Sequence, residues 1–92
     1  MFGITSQLRR AVVSITCNIA EGFYRRTSDD KNHFYYSSLA SSGEVHNLLL
    51  ISKDLGYISN KVFIELVSDI FEIQRLLNGL IKTSSTRYYN NT

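Results

Sequence analysis

Lys53-Asp54-Leu55-Gly56-Tyr57-Ile58-Ser59 is the stretch whose reading decides the fold. Glycine adopts the left-handed backbone after a helix without a Cβ penalty, so Gly56 ends one helix. Ser59 can accept from the free N–H groups that open the next. Ile58 before it and Phe63 after it are spaced as a hydrophobic staple. A connection as short as Gly56–Ser59 leaves two long helices as antiparallel neighbours. Upstream, Phe34, Tyr35, Leu39, Val45, Leu48, Leu49 and Leu55 are the apolar positions of the helix that Gly56 stops. Thr27 or Ser28 caps its start, and Asp29 and Asp30 suit the positive end of its dipole. Downstream, the apolar positions run from Val62 to Ile81 and cover more of the circumference than one neighbour requires. Such a helix is central or meets a second chain.

A further helix precedes these. Leu8, Ala11, Val12, Ile15 and Ile19 recur every three or four residues, which is one helical face. Thr5 or Ser6 serves as its cap. The pattern predicts three helices, about 5–24, 28–55 and 59–82, and no strand. The fold class is all-α, an up-down antiparallel bundle. Periodicity ends at Thr83, which divides the chain into a helical domain, 1–82, and a flexible C-terminal tail, 83–92.

Composition narrows the function. Ninety-two residues make one domain that buries only about 60–65% of its unfolded surface, so association with other chains is a common remedy. There is no proline, as suits helices. A net charge of +2 does not demand a nucleic-acid partner. Cys17 is the single cysteine, so no internal disulfide forms, and it reads as a small core residue. No apolar run approaches the ~20 residues that span a bilayer, and no signal peptide is visible. The expected compartment is cytoplasmic. His33 and His46 are about 20 Å apart along one helix and cannot share a metal. No catalytic triad, metal motif, nucleotide fingerprint or small-molecule site is present. The chain reads as a non-enzyme without cofactor.

Several polar positions invite a role. Ser14 and Asn18 share a face, and Asn18 and Glu21 read as hydrogen-bonding residues that fix helix register. Ser37 to Gly43 is a run of small residues that implies a close helix contact at Gly43, so that Gly43→Leu is expected to be disruptive. Glu44 is expected to bridge to Arg10 or Arg26. Arg9, Arg10, Arg25 and Arg26 fall in the first third of the chain. Phe23 and Tyr24 beside the second pair add the aromatic surface that single-stranded nucleic acid favours.

Three blocks taken in order carry a resemblance: Asn18-Ile19-Ala20-Glu21-Gly22, Ser41-x-x-Glu44, and Asp54-Leu55-Gly56-Tyr57. The chain, from about Phe2 to Leu80, resembles the proteins encoded in 23S rRNA intervening sequences, which are related to the accessory proteins of diversity-generating retroelements. The resemblance implies an antiparallel four-helix bundle, with Asn18, Glu21, Gly22, Ser41, Glu44 and Gly56 as structural positions. It implies a homopentamer, RNA or DNA as partner, and a reverse transcriptase for the retroelement members. Arg9, Arg10, Arg25 and Arg26 would carry the nucleic acid. It also implies a helix ahead of Phe2, which this sequence lacks, so the chain is expected to expose an apolar face and to self-associate. Thr16-Cys17 stand where the family often has a proline nearby, which predicts a straighter first helix. A protein-interaction module without nucleic acid is the alternative reading.

Overall fold

Residues 2–90 are described by the computed structural model, with side chains from residue 3 to residue 86. Three helices form, α1 (Phe2–Phe23), α2 (Ser28–Asp54) and α3 (Asn60–Asn90), and no strand occurs among the described residues. The all-α, up-down arrangement therefore stands.

The helix ends show why the chain turns where it does. Thr27 accepts from the Asp30 N–H at 3.1 Å and caps α2. At the far end Gly56 lies at φ +79. Its N–H donates to the Lys53 carbonyl at 3.0 Å, and the Tyr57 N–H donates to the Ser52 carbonyl at 2.9 Å. This is the paired C-terminal bonding of a Schellman motif, which satisfies the last carbonyls of α2. Ser59 then caps α3 by accepting from the Val62 N–H at 3.1 Å. Ile58 and Phe63, the staple pair, both pack against the core.

Two boundaries differ from the sequence reading. α1 begins at Phe2, ahead of Thr5 and Ser6, because half-buried Ile4 extends the stripe of Leu8 and Ala11 by a turn. α3 continues eight residues beyond Lys82. Polar contacts hold this extension where apolar periodicity has ended: Asn32 Nδ2 donates to Ser85 Oγ at 3.0 Å, and Ser84 Oγ to Ser28 Oγ at 3.4 Å. Asn91 and Thr92 of the expected tail lie outside the described residues.

α2 is the middle helix and packs against both others, while the backbones of α1 and α3 stay apart. The Cα envelope measures 53 × 22 × 13 Å, a layer rather than a closed bundle. Side chains from all three helices nonetheless converge on one side of α2, where Ala11, Ile15, Val45, Leu49 and Ile70 form the core. Serines let the helices approach. Ser38 and Ser42 are fully buried. Ser38 Oγ donates to the Ile15 carbonyl at 2.9 Å, and Gln74 Nε2 donates to Ser42 Oγ at 3.0 Å.

The small-residue run thus works through its serines and not through Gly43. A Cβ added at Gly43 would meet nothing within 4 Å. The expectation of a close contact there is corrected, since position 43 falls on the solvent side of α2. Gly43→Ala should raise stability by about 1 kcal/mol, the helix-propensity difference, because no packing opposes it. Thermal denaturation checks this. A fall in melting temperature would refute the assignment, and Gly43→Leu should likewise be tolerated.

Candidate nucleic-acid interface

The turn between α1 and α2 concentrates the unusual surface of the molecule. α1 ends at Phe23, and its last carbonyls are met by a cation from the next helix. Lys31 Nζ donates to the Phe23 carbonyl at 2.8 Å and to the Gly22 carbonyl at 3.3 Å. A lysine placed there opposes the negative end of the helix dipole. The approach requires Gly22. A Cβ at that position would sit 2.7 Å from Tyr35 Cε1 and 3.1 Å from the Lys31 carbonyl oxygen. Burial raises the Tyr35 hydroxyl pKa above its ordinary value, so the ring packed there stays neutral.

Phe23 and Tyr24 project from this turn. They are 66% and 84% exposed, with ring centroids 5.8 Å apart in an edge-to-face pair. Lys31 Nζ lies 5.7 Å from the Phe23 ring centroid. Arg25 is held twice, by a 2.7 Å ion pair to Glu21 and by its guanidinium 4.7 Å over the Phe34 ring. Arg26 is exposed and makes no ion pair among the described residues. Glu21, Asp29 and Asp30 match Arg25, Arg26 and Lys31 in number, so the turn has no net charge. Exposed aromatic faces beside one free cation distinguish it, not a strong positive field.

The four arginines do not form one patch. Arg9 and Arg10 are exposed on the first half of α1, roughly 24 Å from the turn at 1.5 Å per residue. Glu44 is exposed and bridges to neither Arg10 nor Arg26. The ion pairs among the described residues are Glu21–Arg25, Lys53–Asp54 and Glu72–Arg75. Glu21 pairs with Arg25, four residues on in the turn that follows α1, and makes no ion pair across to another helix among the described residues. Asn18 bonds within α1, donating to the Ser14 carbonyl at 2.8 Å and to Ser14 Oγ at 3.1 Å. From this pair it is Ser14 that reaches α2, through the 2.7 Å contact of its Oγ with Ser41 Oγ, and Asn18 steadies it.

Cys17 is exposed, which corrects its reading as a core residue. It stands about 200° around the helix from Ile15 and from Ile19, which face α2. His46 is half-buried, 5.5 Å from the Phe71 ring centroid and 6.4 Å from that of Phe63. No group of three or more metal-ligating side chains gathers among the described residues. No helix among them is long and apolar enough to cross a membrane. From sequence Lys31 was not singled out and Phe34 stood only as an apolar position of α2, because their roles at the end of α1 and under Arg25 arise only when the turn brings them there.

The family model described as 23S rRNA-intervening sequence protein matches residues 1–79. No curated protein and no solved structure matches the chain.

Proposed function

The chain belongs to the 23S rRNA-intervening sequence protein family, and from that premise we propose that it is a non-enzymatic, self-associating helical scaffold that holds single-stranded RNA or DNA weakly at the α1–α2 turn. The observation that carries the nucleic-acid reading is the exposed Phe23–Tyr24 pair beside the free Arg26. Every base has a π-face, so stacking on such rings is worth about 1–3 kcal/mol per base without regard to sequence. Self-association is supported by the exposed apolar side chains of α1 and α3, Val12 and Leu76 among them. A homopentamer remains the expectation that the resemblance carries, the cytoplasm its setting, and a reverse transcriptase a partner for members of the retroelement type.

The charge balance of the turn shapes the binding. One free cation per copy gives a shallow salt dependence, with a slope near 0.7 per neutralised phosphate on a single strand. A steep slope would require several copies to hold one strand. Fluorescence anisotropy with a labelled single-stranded oligonucleotide tests the reading. The wild type should bind at low salt, and replacing both Tyr24 and Arg26 by alanine should weaken binding about tenfold or more while helicity is unchanged. No binding at low salt would remove nucleic acid from the function. The exposed apolar side chains of α1 and α3 would then favour the second reading, a protein-interaction module.

A further inference from the structure

We propose that Glu21 acts as a brake on the α1–α2 turn, holding Arg25 in an intramolecular ion pair that a phosphate of the bound strand would otherwise occupy. The proposal rests on the nucleic-acid reading above and names what regulates that same site.

The pair stands at the place of binding. Glu21 lies in the last turn of α1, and Arg25 follows four residues on, between Tyr24 and Arg26. Arg25 Nη2 and Glu21 Oε2 are 2.7 Å apart, with the two side chains 45% and 57% exposed. Carboxylate and phosphate offer a guanidinium the same kind of forked acceptor. Glu21 is thus a tethered stand-in for a phosphate, always at hand to compete with the strand. An exposed pair of this kind is weak, so the competition is close enough for a single substitution to tip it.

Two contacts keep Arg25 at the turn when the carboxylate is gone. Its backbone N–H donates to the Gly22 carbonyl at 3.2 Å. Its guanidinium carbon lies 4.7 Å from the centroid of the half-buried Phe34 ring. His33 meets that ring edge-on, with centroids 5.4 Å apart. A guanidinium over a ring face keeps N–H donors at its rim for an anion.

The other charges of the turn have different duties. Lys31 is committed to the last carbonyls of α1. Asp29 and Asp30 stand in the first turn of α2, where they suit its dipole, and make no ion pair among the described residues. Of the three carboxylates, Glu21 alone frees a cation when it is removed. Asp29→Asn changes net charge by the same amount and frees none, which makes it the control.

The test is an anisotropy titration of a labelled single-stranded oligonucleotide over a series of salt concentrations. Glu21→Gln should tighten binding about threefold or more at low salt and roughly double the salt slope, because a second phosphate per copy is neutralised. The ratio of slopes does not depend on how many copies hold one strand. Asp29→Asn should leave the slope at the wild-type value. Adding Arg25→Gln to Glu21→Gln should abolish both the gain and the steeper slope. Circular dichroism on the same samples reads out folding, to which an exposed pair contributes little. If the wild type binds, an unchanged slope in Glu21→Gln, or an equal effect of Asp29→Asn, overturns the brake and leaves the site standing. No binding at low salt by either the wild type or Glu21→Gln overturns both.

Discussion

Gly22→Ala will lower the melting temperature, although alanine is the better helix former by about 1 kcal/mol. The added Cβ would lie 2.7 and 2.9 Å from two carbons of the Tyr35 ring and 3.1 Å from a backbone oxygen. Tyr35 is buried, so its ring cannot swing into solvent, and the Lys31 carbonyl belongs to the first turns of α2. Relief requires α1 and α2 to separate at this crossing. Overpacking of this kind costs about 1–3 kcal/mol beyond the propensity gain. Separation would also lengthen the two bonds from Lys31 to the end of α1. Compared with Gly43→Ala, the same substitution on a neighbouring helix should give the opposite sign. Thermal melts of the two variants side by side decide the matter, and a stabilised Gly22→Ala would contradict the close crossing.

Leu77→Ala should have the larger effect. Leu77 is 1% exposed, the largest fully buried side chain among the described residues. Truncation loses transfer free energy and leaves a cavity, about 2–5 kcal/mol together. Total stabilities of small domains are only about 5–15 kcal/mol. At about 4–8 °C per kcal/mol for a chain of this size, the melting temperature should fall by tens of degrees or the chain should fail to fold. Leu77→Met conserves volume and should cost less than about 1.5 kcal/mol. Denaturant unfolding of the two variants checks both figures, and an alanine variant as stable as the methionine one would contradict the burial.

Legibility from sequence followed the range of the interactions. Thr27, Gly56, Ser59, Ile58 and Phe63 act within a few residues of themselves, and their roles at the helix ends could be read directly. Side chains whose partners lie on another helix could not. Gly22 and Gly43 are both glycines in helices, and only the neighbouring backbone tells which is crowded. Asn18 has its partner Ser14 within α1 and Glu21 has Arg25 in the adjoining turn, so neither polar residue bonds across the interface. Residues 83–90 lack apolar period and still form helix, because serine and asparagine contacts leave no periodic trace. At the turn, Phe23, Tyr24 and Arg26 were visible as types. Arg25 stood beside them with equal standing until its bonds to Glu21 and Phe34 removed it from the free cations.

The layered packing bears on how the chain finds its structure. The backbone of each outer helix approaches α2 alone, and both connections are short, so each hairpin closes with little loop entropy. Either hairpin can form first, which gives two routes of low contact order to one product. α2 belongs to both routes. Loosening of α1 leaves an α2–α3 hairpin behind, and loosening of α3 leaves an α1–α2 hairpin, whereas loss of α2 dissolves the whole cooperative unit.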